Sequence, residues 1–202
     1  MPRCLWSGLL LLLALFAPSL ASAQAFETRK PFWELTVQPG FFVAEEPEGA
    51  EIEGRPMLTG RVGYRRAAGF GVEVNAGFTP LEFEAVGAPP QKFDMPTFLY
   101  GVDVVYAWSI QPRADFFISA GLGGITWSLD REDGDGKTES NLRLPLGVGF
   151  HWLLSPGLAL RAELRDHIIF DQLADVARDL ALVDRGNTNN LEGSIGLSFI
   201  LH

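Results

Sequence analysis

The charged residues of this sequence lie in a pattern that predicts a paired polar network. Arg161, Glu163 and Arg165 alternate with apolar residues, and single charges recur in the same way in other alternating stretches. A buried charge is costly unless it is paired, so we expect nine of these residues to form ion pairs in the interior of the fold. They are Glu34, Arg61, Glu73, Asp103, Arg143, Arg161, Glu163, Arg165 and Glu192.

Two functions are open to such a network: a structural plug, or a charged gate for small ions. Removing one partner of a buried ion pair costs about 3–5 kcal/mol, so a paired network is useful for holding an interior closed. The pattern therefore favours the plug.

The histidines do not predict a catalytic site. Asp166 and Asp171 are the acidic residues near His167. Asp166 cannot orient that ring, because adjacent residues of a strand point to opposite faces. We predict no catalytic residue, no cofactor and no enzyme activity.

An acidic segment, residues 130–139, resembles half of a calcium loop. Calcium needs six to eight oxygen ligands at set spacings, and no register of this segment puts acids at positions one, three and five before a glycine. We therefore predict a solvated hairpin tip and no metal site. A second segment, Asp171–Arg185, has helical spacing of apolar residues and predicts a locally folded loop.

The first 23 residues have the pattern of a secretory signal peptide. Arg3 precedes an apolar run from Leu9 to Phe16, and Ala21-Ser22-Ala23 provides a small-residue cleavage site. We predict that residues 1–23 are removed and that residues 24–202 form one domain.

This mature chain has no cysteine, since Cys4 precedes the apolar run. Its net charge is −10, because only Arg3 is lost from a chain of charge −9. That charge argues against nucleic acid as a partner.

The remainder of the chain alternates between apolar and polar residues, as strands with two different faces do. Eight such segments of about ten residues suit tilted strands that cross a bilayer. They are Phe32–Phe41, Leu58–Arg65, Gly69–Phe78, Phe98–Trp108, Asp115–Trp127, Asn141–Trp152, Leu158–His167 and Leu191–Leu201. The connections alternate between long (43–57, 79–97, 128–140 and 171–190) and short (66–68, 109–114 and 153–156). We predict an all-β fold: a closed, eight-stranded antiparallel transmembrane barrel with short periplasmic turns and long outer loops.

Aromatic residues near the strand ends predict which face meets lipid. A soluble barrel buries its apolar face in the lumen, whereas rings at both membrane interfaces indicate a barrel that spans lipid. We assign these rings to an aromatic girdle: Trp33, Tyr106, Trp108, Trp152 and Phe199 at one rim, and Phe41, Phe78, Tyr100 and Phe170 at the other. A soluble barrel remains the alternative.

From about Phe32 to His202, the pattern resembles the small eight-stranded outer-membrane barrels of the OmpA and OmpX type. The strands Leu144–Trp152 and Leu158–Arg165 and the closing segment Leu191–Leu201 carry the resemblance. Members commonly end in an aromatic residue that the assembly machinery recognises. Here Phe199 has the right parity, but the chain ends in Leu201-His202. No peptidoglycan-binding domain is expected after the last strand.

The resemblance implies location in the bacterial outer membrane and a structural or surface-interaction role. The expected partners are outer-membrane lipid, lipopolysaccharide and, during insertion, the barrel-assembly machinery, and the expected state is a monomer. Two alternatives stay open: a narrow passive pore for ions or small solutes, and a lipid-modifying barrel enzyme.

Overall fold

The computed structural model describes residues 31–45, 50–66, 69–85, 91–129, 137–170 and 188–202. These residues form strands joined in one antiparallel sheet. In chain order the strands are β1 (Phe32–Val43), β2 (Ala50–Glu53), β3 (Arg55–Arg65), β4 (Phe70–Ala85), β5 (Gln91–Gln111), β6 (Ala114–Leu129), β7 (Lys137–Ser155), β8 (Leu158–Ile169) and β9 (Thr188–Leu201).

The sheet closes on itself. Each strand from β3 to β8 pairs with the strand that follows it in the chain. The last strand, β9, pairs with β1, where Trp33 faces Leu201. The short β2 and the longer β3 both pair with β4, on either side of Gly54, so together they make one wall strand. The predicted closed, eight-stranded antiparallel barrel is confirmed.

The register fixes the dimensions of the barrel. A path of paired residues that leaves Phe32 and crosses every strand returns to β1 at Phe42, ten residues further on. A stagger of this size in eight strands implies a strand tilt of about 40°. The interior of such a barrel is just wide enough for side chains to fill it.

The connections differ between the two ends, as predicted. At the end that we call the turn end, β5 passes to β6 and β7 to β8 through Pro112-Arg113 and Pro156-Gly157. The turn before β4 closes with a hydrogen bond from the Arg66 amide to the Phe70 carbonyl (2.8 Å), and Gly69 adopts a φ of 83° there. The other end, which carries the longer connections, is the loop end.

The strands reach further into the loop end than the alternation predicts. The predicted bounds of loops 43–57, 79–97 and 128–140 were too wide: β2 lies within the first, β4 and β5 pair from Thr79↔Thr97 to Ala85↔Gln91, and β7 begins at Lys137. The apolar-outward pattern stops before these extensions, and prolines such as Pro80 and Pro96 interrupt it. An assignment based on that pattern therefore ends each strand early.

Glycines make room for the large side chains of the interior. A Cβ on Gly149 of β7 would lie under 3.0 Å from the ring of Phe117 and from the Ala162 carbonyl oxygen. By contrast, a Cβ on Gly60, on the outer face of β3, would meet nothing within 4 Å. Inward glycines are thus required by packing, whereas Gly60 is not.

We expect Gly149→Ala to lower the free energy of unfolding by about 1–3 kcal/mol, because overpacking displaces Phe117 and neighbouring backbone. The measurement is the urea midpoint of the barrel in lipid vesicles. Gly60→Ala is the matched control and should be neutral or slightly stabilising, since a methyl group there meets open space. Equal losses for both variants would contradict the assigned faces.

Candidate functional site

The barrel interior gathers all nine of the charged residues that the sequence assigns to a network. Strand alternation points each of them inward, and none is more than 5% exposed. A tenth residue, Arg65, joins them at 4% exposure. The network therefore consists of five arginines and five carboxylates, whose formal charges balance. A further buried carboxylate, Asp115, lies at the turn end and accepts a hydrogen bond from Ser109 (2.7 Å).

Glu73 and Arg161 form the centre of the network, from opposite walls. The guanidinium of Arg161 donates to both carboxylate oxygens of Glu73, from Nη1 to Oε1 (2.9 Å) and from Nη2 to Oε2 (3.0 Å). Arg65 donates to the same Oε1 at 2.9 Å. A bidentate pair that also receives a second arginine fixes the relative positions of β3, β4 and β8.

Glu163 is a second carboxylate that binds several arginines, and it lies two residues closer to the loop end of β8 than Arg161. It accepts a hydrogen bond from Nη2 of Arg161 (3.0 Å) and one from Nε of Arg165 (2.7 Å), and Nη2 of Arg61 lies 3.4 Å away. Arg165 reaches on to Oδ2 of Asp103 at 2.6 Å. Glu163 thus links β8 to β3 directly and to β5 through Arg165.

Arg143 differs from the other four arginines. Among the described residues, none of its nitrogens lies within ion-pair distance of a carboxylate; it bonds to the side-chain oxygen of Asn75 (3.0 Å) and meets Nδ1 of His167 at 3.2 Å. Asn75 donates to Asp103 (2.9 Å), and Nε2 of His167 lies 2.9 Å from Glu192. Arg143 is therefore connected to two carboxylates through neutral bridging side chains.

Sequence reasoning missed the roles of both interior histidines. His167 pairs with Glu192 of the adjacent strand and not with Asp166, which points to the outer face. Nε2 of His151 lies 2.9 Å from Oε1 of Glu34, an ion-pair distance at which the ring is not aligned for a hydrogen bond. Aligning the neighbouring strands β8 and β9 in the sequence could have predicted the contact between His167 and Glu192. The contact between His151 and Glu34 could not be found in this way, because β7 and β1 are not neighbours.

The side chains that point into the lumen change in type near the loop end. There they are mostly apolar, although Thr79, Thr97 and Asn190 are buried among the apolar residues, and this corrects the expectation of a charged lumen throughout. Eight large apolar side chains of this region are at most 4% exposed: Phe42, Met57, Leu81, Met95, Leu99, Ile125, Trp127 and Ile169. We call this set the apolar layer.

The girdle residues do not lie in the lumen. Phe170 directly follows β8, and the other eight lie on the outward parity of their strands. Several pack ring against ring, including Trp33 with Tyr64 (5.2 Å between centroids) and Trp108 with Phe116 (4.8 Å). Their placement at the two membrane interfaces remains a prediction.

A small cavity of about 30 Å³ lies at the turn end, beside Glu34, Arg65, Asp115 and His151. Its volume suits a single water molecule with several polar partners. The cavity brings the lower edge of the charged network close to the turn-end opening.

The family model for the outer membrane protein beta-barrel domain matches residues 7–199. The chain belongs to this family. Its members' location in the bacterial outer membrane, and the closed barrel described above, agree with the compartment that the sequence predicts. No curated protein matches the chain in sequence.

Solved structures with the same fold are distant in sequence. OprG of Pseudomonas aeruginosa is 13% identical, covering 86% of this chain and 98% of its own, with a TM-score of 0.62. Neisserial surface protein A is 15% identical over 83% and 96%, with a TM-score of 0.59. Ail, the attachment invasion locus protein of Yersinia pestis, is 13% identical over 85% and 97%, with a TM-score of 0.55. At such identities the likeness shows the fold alone.

Several sequence-based expectations fall outside the described residues: the signal peptide 1–23, most of the acidic segment 130–139 and the loop Asp171–Arg185. Within the described residues, no helix has the length and apolar character needed to cross a membrane. In that same part of the chain, no cluster of three or more His, Cys, Asp or Glu residues is arranged to hold a metal ion.

Glu73→Gln should lower the free energy of unfolding by about 3–5 kcal/mol, because it leaves Arg161 and Arg65 buried without their shared anion. The urea midpoint in lipid vesicles measures this loss, and Arg161→Met added to Glu73→Gln should recover part of it.

Glu82→Gln is the matched control. Glu82 pairs with Arg55 on the outer surface, where both side chains are partly exposed, and such pairs contribute about 0–1 kcal/mol. A Glu73→Gln loss no larger than that of Glu82→Gln would show that the network does not hold the barrel together.

Proposed function

We propose that this protein is a closed outer-membrane barrel with a structural or surface-interaction role. The observation that carries the proposal is the filled lumen: ten charged side chains in balanced number, each at most 5% exposed, occupy the space that a pore would need. In an eight-stranded barrel the interior is only wide enough for side chains. The turn end then faces the periplasm and the loop end the exterior.

The charge of the outer loops supports a surface role. Loops 43–57, 79–97, 128–140 and 171–190 contain seventeen of the 25 acidic residues and six of the 16 basic ones. The loop end therefore holds essentially all of the chain's net negative charge, and its field favours basic partners or divalent cations over polyanions. One structure of Ail contains the heparin analogue sucrose octasulfate, an anion that these loops would repel.

The proposal includes the remaining expectations. Cleavage after Ala23 releases a mature chain that begins at Gln24, the assembly machinery inserts it, and the monomer contacts lipid and lipopolysaccharide through its apolar outer face. The narrow pore and the lipid-modifying enzyme remain the alternative functions. A mass shift of lipid A on expression would favour the enzyme.

The purified barrel in planar bilayers should show no single-channel steps at moderate voltages, because the side chains that fill the lumen leave no continuous water path from one end to the other. A general porin prepared in the same way is the positive control. Reproducible unitary conductance from the barrel would favour the narrow pore instead.

Epitope tags inserted at Gly49, Gly134 or Gly186 should bind antibody on intact cells, because these positions follow strands that end at the loop end. A tag at Pro156, in a turn, should bind only after the outer membrane is permeabilised. Antibody binding at Pro156 on intact cells would reverse the orientation of the barrel.

A further inference from the structure

The apolar layer lies at the loop end of the lumen, and its lower members are level with the upper edge of the charged network: Phe42 is paired in register with Glu192, and Ile169 with Arg143. Four of its members pair with one another across strands: Leu81 faces Met95, and Leu99 faces Ile125. Phe42, Met57 and Ile169 complete the layer from β1, β3 and β8, across the lumen. Six wall strands thus contribute apolar side chains at this level.

On β5, β6 and β7 the outer face of the barrel becomes polar beside the upper part of this layer, whereas Phe41 and Val43, on either side of Phe42, are apolar and about half exposed. Thr126 pairs with Ser140 (2.9 Å) and Ser128 with Thr138 (3.0 Å) through exposed hydroxyl groups, and Asp94 is exposed nearby on β5. Below this level the outward side chains are large and apolar, such as Leu122 at 62% exposure. The barrel therefore changes from apolar-outward to apolar-inward, the arrangement of a barrel in water.

The length of the apolar outward run agrees with a bilayer edge at this inversion. On β7 the run extends from Leu142 to Trp152, and Leu154 continues it beside the register shift at the turn end. Ten steps of about 3.3 Å at a tilt of about 40° correspond to about 25 Å along the barrel axis, the height of the apolar band of outer-membrane barrels. The upper members of the apolar layer, such as Met95 and Trp127, accordingly lie at or above the loop-end edge of this band, on the side away from the charged network.

The turn end has fewer large apolar side chains in the lumen. Among the described residues, Val105, Ala107 and Phe117 form a buried apolar cluster there. The cavity beside Glu34 and His151 lies at this end, next to the lower edge of the network. Charged groups thus continue from the turn-end opening to Glu73, whereas most of the large buried side chains at the loop end are apolar.

We propose that the permeability barrier of this barrel is the apolar layer and that water and small reagents reach the charged network from the turn end alone. This proposal rests on the closed barrel proposed above and adds the position of its seal. The network is then a periplasm-facing polar chamber, and the outer third of the barrel is an extracellular segment with its own hydrophobic core.

Cysteine labelling tests the proposal, because Cys4 is the single cysteine of the chain and lies in the predicted signal peptide. Ser194 lies inward on β9, is 9% exposed, and its hydroxyl has no hydrogen-bond partner among the described residues, so Ser194→Cys disturbs little. Vesicles containing the barrel are treated from outside with a small, membrane-impermeant methanethiosulfonate. Pro156→Cys and Asn189→Cys, both exposed, report the fractions of molecules with the turn end and the loop end outward.

We expect the labelled fraction of Ser194→Cys to equal that of Pro156→Cys. Adding Trp127→Ala, which removes a large member of the apolar layer, should raise labelling from the loop end by about tenfold, because the cavity left opens the seal. Phe98→Ala is the matched control: it removes an aromatic residue of the adjacent strand that points outward, 52% exposed, and should not change the labelling. Leu99→Ala replaces Trp127→Ala if the latter does not fold, as judged by heat-dependent electrophoretic mobility.

Labelling of Ser194→Cys from the loop end in the otherwise unmodified barrel would overturn the proposal. So would labelling from neither end, because the turn end would then be sealed as well. Ion conductance by the unmodified barrel would overturn the closed-barrel function itself, whereas loop-end labelling in a non-conducting barrel would overturn the position of the seal alone.

Discussion

Backbone polar groups within a lipid bilayer have no water to bind, and this constraint shapes the rest of the molecule. Every strand must find hydrogen-bond partners on both sides, so the sheet has to close, and β9 pairs with β1 to do so. Closure at eight strands with a stagger of ten residues sets the tilt and the width of the lumen. That width is too small for an open channel and must be filled by side chains.

The filling combines long charged side chains with glycines. Apolar residues are needed at the strand positions that face lipid. The positions between them point into the lumen, where arginines and carboxylates are tolerated because each finds partners. Glu73 and Glu163 each receive more than one arginine, while Asn75 and His167 connect Arg143 to Asp103 and Glu192. Inward glycines such as Gly149 leave the space that Phe117 occupies. The lumen is therefore an internal core made mostly of ion pairs.

The same constraint explains why the pattern inverts near the loop end. In the placement proposed above, the outward face meets water beyond the bilayer, so the strands no longer gain from apolar residues there and need an internal apolar core instead. Met95, Leu99 and Trp127 provide it on the inside, while Thr126 and Ser140 pair on the outside. A single sheet thus obeys two opposite rules in two solvents, with the membrane surface between them.

The sequence by itself determined the strand order, the two faces of the membrane-spanning part and the turn and loop ends, because a period of two residues and the spacing of turn residues are local signals. It also identified nine of the ten charges of the network, since parity alone separates Arg161, Glu163 and Arg165 from the residues between them. Tertiary structure decided which charges meet. Glu73 binds Arg161 from 88 positions away, and His151 lies against Glu34, because the stagger of the closed sheet brings these side chains to one height in the lumen. Tertiary structure also decided where the strands end. The extensions of β4 and β5 have apolar residues on the inside, as a barrel in water does. A sequence pattern does not state which solvent surrounds a segment, because that depends on the height of the segment in the closed barrel.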